Sequence, residues 1–343
     1  MSFTEKPLSV EANGTRIPAV LSLPSEGVPA HGFGAENAPA PSPAPTWGIV
    51  IVPGSFPNDV DGNYLPEMGN PFTAKPHAYK DLAQQLAARG FAVLRYARGG
   101  VTVLDKEKAE AHRRFADRTT VVAEAIRMLR AIVPSLKHIA LAGHSEGGPV
   151  ALLLMTRDKA LKIDAYISLS APARRMFDIM LQQTEKTVRD GRASFGPQAF
   201  PFEAFQKAMD LTRKGEPVPA DLLKVLPPFG VYAMDEASKR YLRDYDQIDS
   251  RILIAEVPCP VLIVQGGNDT SVYPDNAEML WEARKKSPAQ TERVYFPELQ
   301  HFYKVIAPGT DPMAAFGLET ESDVRVAEAI KDFLRPLVLS PRL

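Results

Sequence analysis

The chain has 343 residues, 45% hydrophobic and 24% charged, the proportions of a globular protein with a sizeable core. With 40 basic residues against 41 acidic ones the formal net charge is −1, so no overall basic field points to a nucleic acid or an anionic membrane as partner. A single cysteine, Cys259, excludes an internal disulfide and a cysteine-based metal cluster; in the context V-P-C-P before an apolar run it reads as a small buried hydrophobe.

The first residues, M-S-F-T-E-K-P-L-S-V, contain no apolar stretch of the kind that heads a secretory signal. No apolar run reaches the ~18 residues of a membrane span, and a cytoplasmic location is the expectation. Asn13-Gly14 is a turn signal ahead of a strand over residues 17–23. Residues 24–45 are crowded with prolines and read as an extended surface loop. Short apolar runs then alternate with helical patterns. Strands are predicted over 48–52 (G-I-V-I-V), 91–96 (F-A-V-L-R-Y), 138–142 (H-I-A-L-A) and 165–169 (A-Y-I-S-L). Helices are predicted over 79–89, closed by Gly90, over 119–132, with Val122, Ile126, Leu129 and Ile132 on one face, and over 149–155.

Residues 171–256 break this rhythm: they are helical and polar, with Phe, Met, Tyr and Pro interspersed. Strands over 260–265 and 293–296 and a closing helix over 324–334 restore it. The alternation predicts an α/β fold with a mostly parallel central sheet covered by helices on both faces. Its core comprises residues 1–170 and 257–343, and residues 171–256 form a helical cap or lid.

Chemistry concentrates in H-I-A-L-A-G-H-S-E-G-G, residues 138–148, where an apolar strand runs into G-x-S-x-G and an apolar helix leaves it. That context makes Ser145 the candidate nucleophile, presented on a sharp strand-to-helix turn. A serine hydroxyl needs a base. Of six histidines only His301 follows Ser145, just beyond the strand R-V-Y-F. The acid is expected at the end of the strand before it, and P-V-L-I-V-Q-G-G-N-D places Asp269 there; Asp275 better suits a helix start, and Glu298 shares the histidine's own loop. Two backbone N–H groups are expected to form an oxyanion hole: that of Glu146, whose side chain is incidental to the role, and that of Ser55, with Phe56 as alternative. Phe56, His144, Phe202 and Phe229 are candidate pocket residues. No cofactor and no metal are called for, since neither a His-x-x-x-His nor a Cys-x-x-Cys pairing occurs.

With these motifs in place the chain resembles bacterial α/β-hydrolase esterases of the dienelactone-hydrolase and prolyl-oligopeptidase-like branch. The resemblance is carried by P-G-S-F-P-N-D-V-D-G-N from Pro53, A-V-L-R-Y-A from Ala92, the G-H-S-E-G-G elbow, Q-G-G-N-D and the late histidine. It covers nearly the whole chain apart from the proline-rich loop and much of the insertion. Pro53 stands where such proteins usually have histidine, Phe56 replaces a glycine, Val60 an arginine and Ala97 an aspartate. The resemblance implies hydrolysis of carboxylic esters of small molecules through an acyl-enzyme, without a cofactor. A thioesterase, acyltransferase or peptidase with the same triad is the alternative within enzymes, and a non-catalytic binding protein the alternative outside them.

Overall fold

The computed structural model describes residues 2–25, 44–70, 72–189, 200–227, 230–307 and 309–337. Two antiparallel strands, β1 (Phe3–Ala12) and β2 (Thr15–Pro24), pair along their whole length around Asn13-Gly14, where both turn residues take positive φ. After β3 (Trp47–Val52), α1 (Ala78–Ala87) leads to β4 (Ala92–Tyr96). The two-residue β5 (Thr102–Val103), α2 (Lys106–Ala111) and α3 (Arg118–Ile132) lead to β6 (His138–His144). Next, α4 (Gly147–Arg157) leads to β7 (Ala165–Leu169). Among the described residues five α-helices then intervene: α5 (Met176–Arg189), α6 (Phe202–Lys214), α7 (Ala220–Val225), α8 (Glu236–Asp246) and α9 (Ser250–Glu256). The core resumes with β8 (Val261–Gly266), α10 (Asp275–Arg284), β9 (Thr291–Phe296), α11 (Pro312–Phe316) and α12 (Val324–Leu337).

The strands form one sheet in the order β1-β2-β4-β3-β6-β7-β8-β9, with β5 beside β2. Every pair from β4 to β9 is parallel. Residues of β3, β4, β7 and β8 are buried throughout, which is why these strands read as continuous apolar runs rather than as alternating patterns. Alternation persists in which face each residue serves. Val50 and Val52 join Val122, Ile126 and Leu129 of α3 and Val150 of α4 on one side. Ile49 and Ile51 join Leu82 and Leu86 of α1 and Ile330 and Phe333 of α12 on the other. The insertion between β7 and β8 has a small core of its own, built around Phe177, Phe205, Met209, Val231 and Leu242.

The expected strands and helices fall within a few residues of these elements. The pattern missed β1, whose exposed residues include Lys6 and Glu11, as well as the short β5, α2 and α11; the helix start expected at Asp275 is the first residue of α10. Of the proline-rich stretch 24–45, residues 26–43 lie outside the described residues. Cys259 is buried as expected, and burial pushes its thiol up to about 12, which disfavours the thiolate at neutral pH. Among the described residues no helix is long and apolar enough to cross a membrane.

Candidate active site

Strand β6 delivers Gly143 and His144 into Ser145, which sits at φ 52°, and α4 departs two residues later. A non-glycine residue in that left-handed region is strained and is held by its surroundings. Ser145 N–H donates to the Leu169 carbonyl at 2.9 Å, and Gly148 N–H donates to the Ser145 carbonyl at 2.9 Å. The flanking glycines are obligatory for steric reasons. A Cβ on Gly143 would lie 2.7 Å from Gly148 Cα, and one on Gly147 would lie 2.1 Å from the Val52 carbonyl oxygen. Backbone meets backbone at both positions, so the elbow forms only if these side chains are absent. Ser145 opens into a cleft of about 970 Å³ that is also lined by His301, Ser55, Phe56 and Glu146.

Asp269 follows β8 and is 1% exposed. Its carboxylate accepts from the N–H groups of Ser271 (2.9 Å) and Val272 (2.8 Å), from Gln265 Nε2 (3.2 Å) and from His301 Nδ1 (2.8 Å). Two backbone donors fix the orientation of the carboxylate, and the carboxylate in turn fixes the imidazole. His301 is 7% exposed and faces the cleft. His301 is thus hydrogen-bonded to Asp269 and lines the same cleft as Ser145, the three residues coming from separate loops at the carboxyl ends of β9, β8 and β6. Glu298 instead pairs with Arg325, and Asp275 is the first residue of α10.

Two expected pocket residues lie elsewhere. His144 is buried behind the serine rather than facing the cleft: Gly54 N–H donates to Tyr79 Oη (2.8 Å), Tyr79 Oη pairs with His144 Nδ1 (3.1 Å), and His144 Nε2 pairs with the His301 carbonyl (3.0 Å). Because the His301 carbonyl can only accept, His144 carries its proton on Nε2, and its bare Nδ1 accepts from the Tyr79 hydroxyl. Burial, then the nearby His301, pull the His144 pKa down to about 3, so this neutral bridge persists at ordinary pH. Phe202, the first residue of α6, is half-buried beside Phe200 and Phe205 on the insertion and does not line the cleft. Phe229 lies outside the described residues. Phe56 does line the cleft, half exposed, at φ 62°.

The Glu146 side chain is not incidental. It is 4% exposed and binds four groups: Arg98 Nη1 (3.0 Å), Arg118 Nη1, Ser55 Oγ (2.8 Å) and Tyr241 Oη (2.5 Å). Burial alone would raise its pKa, but the two guanidiniums and two hydroxyls outweigh that and hold the carboxyl below its ordinary value. The same arginines grip the loop after β3, Arg118 Nη2 donating to the Pro53 carbonyl (2.6 Å) and Arg98 Nη1 to the Gly54 carbonyl (2.7 Å). Among the described residues nothing accepts from the N–H groups of Ser55 and Glu146. No sequence signal joins residues 55, 98, 118, 146 and 241; only the fold does. Nor, among the described residues, do three His, Cys, Asp or Glu side chains converge as metal ligands would.

A family model described as serine aminopeptidase, S33, matches residues 73–303, more than half of the chain. No curated protein matches the sequence. Among solved structures the chain is similar to Est1E from Butyrivibrio proteoclasticus, with 17% identity, a TM-score of 0.53, and coverage of 97% of this chain and 99% of that one. A Pyrococcus furiosus esterase matches with 13% identity and a TM-score of 0.52, over 98% and 91% of the two chains. Acylaminoacyl peptidase of Pyrococcus horikoshii matches with 11% identity and a TM-score of 0.53; the match covers 97% of this chain, which spans 41% of that larger protein. At such identities these likenesses speak for the fold. The chain belongs to the serine aminopeptidase S33 family and is a serine hydrolase with the α/β-hydrolase fold.

Proposed function

We propose that the protein hydrolyses carboxylic esters of small molecules through a covalent acyl-enzyme on Ser145. The observation that carries this reading is the hydrogen bond between His301 Nδ1 and buried Asp269, made in the cleft that Ser145 faces. A carboxylate only accepts, so the proton sits on Nδ1 and Nε2 is free to act as base. His301 takes the Ser145 proton as the hydroxyl oxygen attacks the ester carbonyl. The N–H groups of Ser55 and Glu146 hold the oxyanion. His301 then protonates the leaving alcohol, and in the second half-reaction it activates the water that releases the acid. Residues 171–256 act as a cap: Met176, Ile179 and Met180 of α5 and Leu242 of α8 face the cleft and suit an apolar arm of the substrate.

The family description favours a second reading, cleavage of a peptide from its free amino end. Such a substrate needs a carboxylate beside the serine to meet its ammonium group. Among the described residues two carboxylates line the cleft: Glu146 is already engaged by two guanidiniums and two hydroxyls, and Asp235 caps α8 by accepting from Ser238, which favours an uncharged arm beside Ser145.

Labelling by a fluorophosphonate, followed by matched ester, thioester and amino-acid anilide substrates, tests both readings. Wild-type protein is expected to label and to prefer esters. Ser145→Ala is expected to lose labelling, and kcat falls by up to about 10⁶ in Ser145→Ala and in His301→Ala. Wild-type turnover in either variant overturns the mechanism; preferential anilide cleavage overturns the substrate class.

A further inference from the structure

We propose that Tyr241, on α8 of the insertion, is a positioning residue through which the insertion sets the oxyanion hole over Ser145. The proposal rests on the serine-esterase reading above. Of the four groups on the Glu146 carboxylate, Ser55, Arg98 and Arg118 belong to the sheet domain, and Tyr241 alone comes from the insertion. Its hydroxyl donates to Glu146 Oε1 at 2.5 Å and accepts from Arg98 Nη2 at 3.0 Å. Tyr241 therefore touches both the carboxylate that holds Ser55 and the guanidinium that holds the Gly54 carbonyl.

The oxyanion loop has no regular structure of its own to keep it in place. Its carbonyls and the Ser55 side chain are tied to Arg98, Arg118 and Glu146, and its Gly54 N–H is tied to Tyr79. A buried carboxylate that loses a donor draws its remaining donors closer, because an unsatisfied buried charge is costly. Without the Tyr241 hydroxyl, Arg98 is free to shift toward Glu146 and away from Gly54, and the Ser55 N–H moves with its loop. The net positive charge of one carboxylate with two guanidiniums comes from the sheet domain alone; what α8 adds is the Tyr241 hydroxyl, which fixes where the Glu146 and Arg98 groups sit beside the developing oxyanion. Such an effect acts on the transition state more than on ground-state binding.

The test is Tyr241→Phe, which keeps the ring packed on Phe115 (centroids 5.7 Å apart) and removes the hydroxyl alone. The expected result is a loss of about tenfold in kcat on neutral esters, with KM and melting temperature close to wild type. The fluorophosphonate labelling rate is expected to fall in the same proportion. Tyr241→Met, which also lacks the hydroxyl, reads the same quantities should the phenylalanine variant not fold. Asp244→Asn weakens another tie of α8 to the core, the ion pair with Arg114, without touching Glu146, and is expected to leave kcat near wild type.

In a double-mutant cycle Tyr241→Phe and Ser55→Ala are expected to be non-additive in kcat, since both hydroxyls serve one carboxylate. Unchanged kcat, a rise in KM alone, the same kcat loss in Asp244→Asn, or strict additivity with Ser55→Ala would each overturn the proposal. Failure of the wild type to label at Ser145 overturns the esterase reading instead, so the two failures are distinguishable.

Discussion

The elbow proposed to carry the nucleophile and the loop proposed to form the oxyanion hole line the same cleft but are held by opposite means. The elbow is fixed by exclusion: at Gly143 and Gly147 backbone packs so closely on backbone that no side chain fits, and Ser145 is left at positive φ. The loop at residues 53–56 is fixed by attraction, through Arg98, Arg118, Tyr79 and the carboxylate of Glu146. Glu146 joins the two, following the serine in the chain while holding the loop by its side chain. A steric device is local and insensitive to charge, whereas an ionic one responds to substitution of distant residues and to pH. On the proposal for Tyr241, the part of the site that is fixed by sterics is separate from the part that the insertion adjusts.

Gly147→Ala gives the sharpest break. A methyl 2.1 Å from the Val52 carbonyl oxygen has no flexible neighbour to displace, so a loss above ~3 kcal/mol and little folded protein are expected. Normal expression and melting temperature in that variant would show that the elbow yields and that the contrast is false. Glu146→Ala addresses the other side. It leaves the backbone N–H in place but strands two guanidiniums that are only partly exposed. About 3 kcal/mol of stability and roughly 10² in kcat are expected to be lost, read by chemical denaturation and steady-state kinetics. Loss of stability with kcat intact would reduce the cluster to a structural tie.

Protonation offers a milder test, through the bridge at His144. An unfolded chain protonates this histidine near its ordinary 6.5, whereas the folded protein resists until about 3. Between those values the unfolded state binds more protons, so stability contributed by His144 is complete above pH 6.5 and is lost as pH falls toward 3. The slope from this group is at most about 1.4 kcal/mol per pH unit. Denaturation profiles at pH 7 and pH 5 are expected to diverge less in His144→Gln than in wild type. Equal slopes would mean that the bridge is not held neutral.

What the sequence by itself determined is what is local or ordered along the chain. The strands that face helices on both sides are continuous apolar runs, the elbow is a contiguous pentapeptide with its strand and helix attached, and Asp269 and His301 sit just beyond strands that apolar patterns betray. These signals survive in one dimension because each belongs to a single element or its end. Tertiary structure alone decided the contacts of Glu146, Tyr241 and His144. Residues 55, 98, 118, 146 and 241 become neighbours only when β3, β4, β6 and the insertion converge, and no spacing rule links them. Phe202 and His144 failed as pocket residues for a related reason: an aromatic or a histidine in a sequence carries no sign of which side of its element faces the cleft. That choice was made by packing, which turned Phe202 toward Phe205 and set His144 between Tyr79 and the His301 carbonyl.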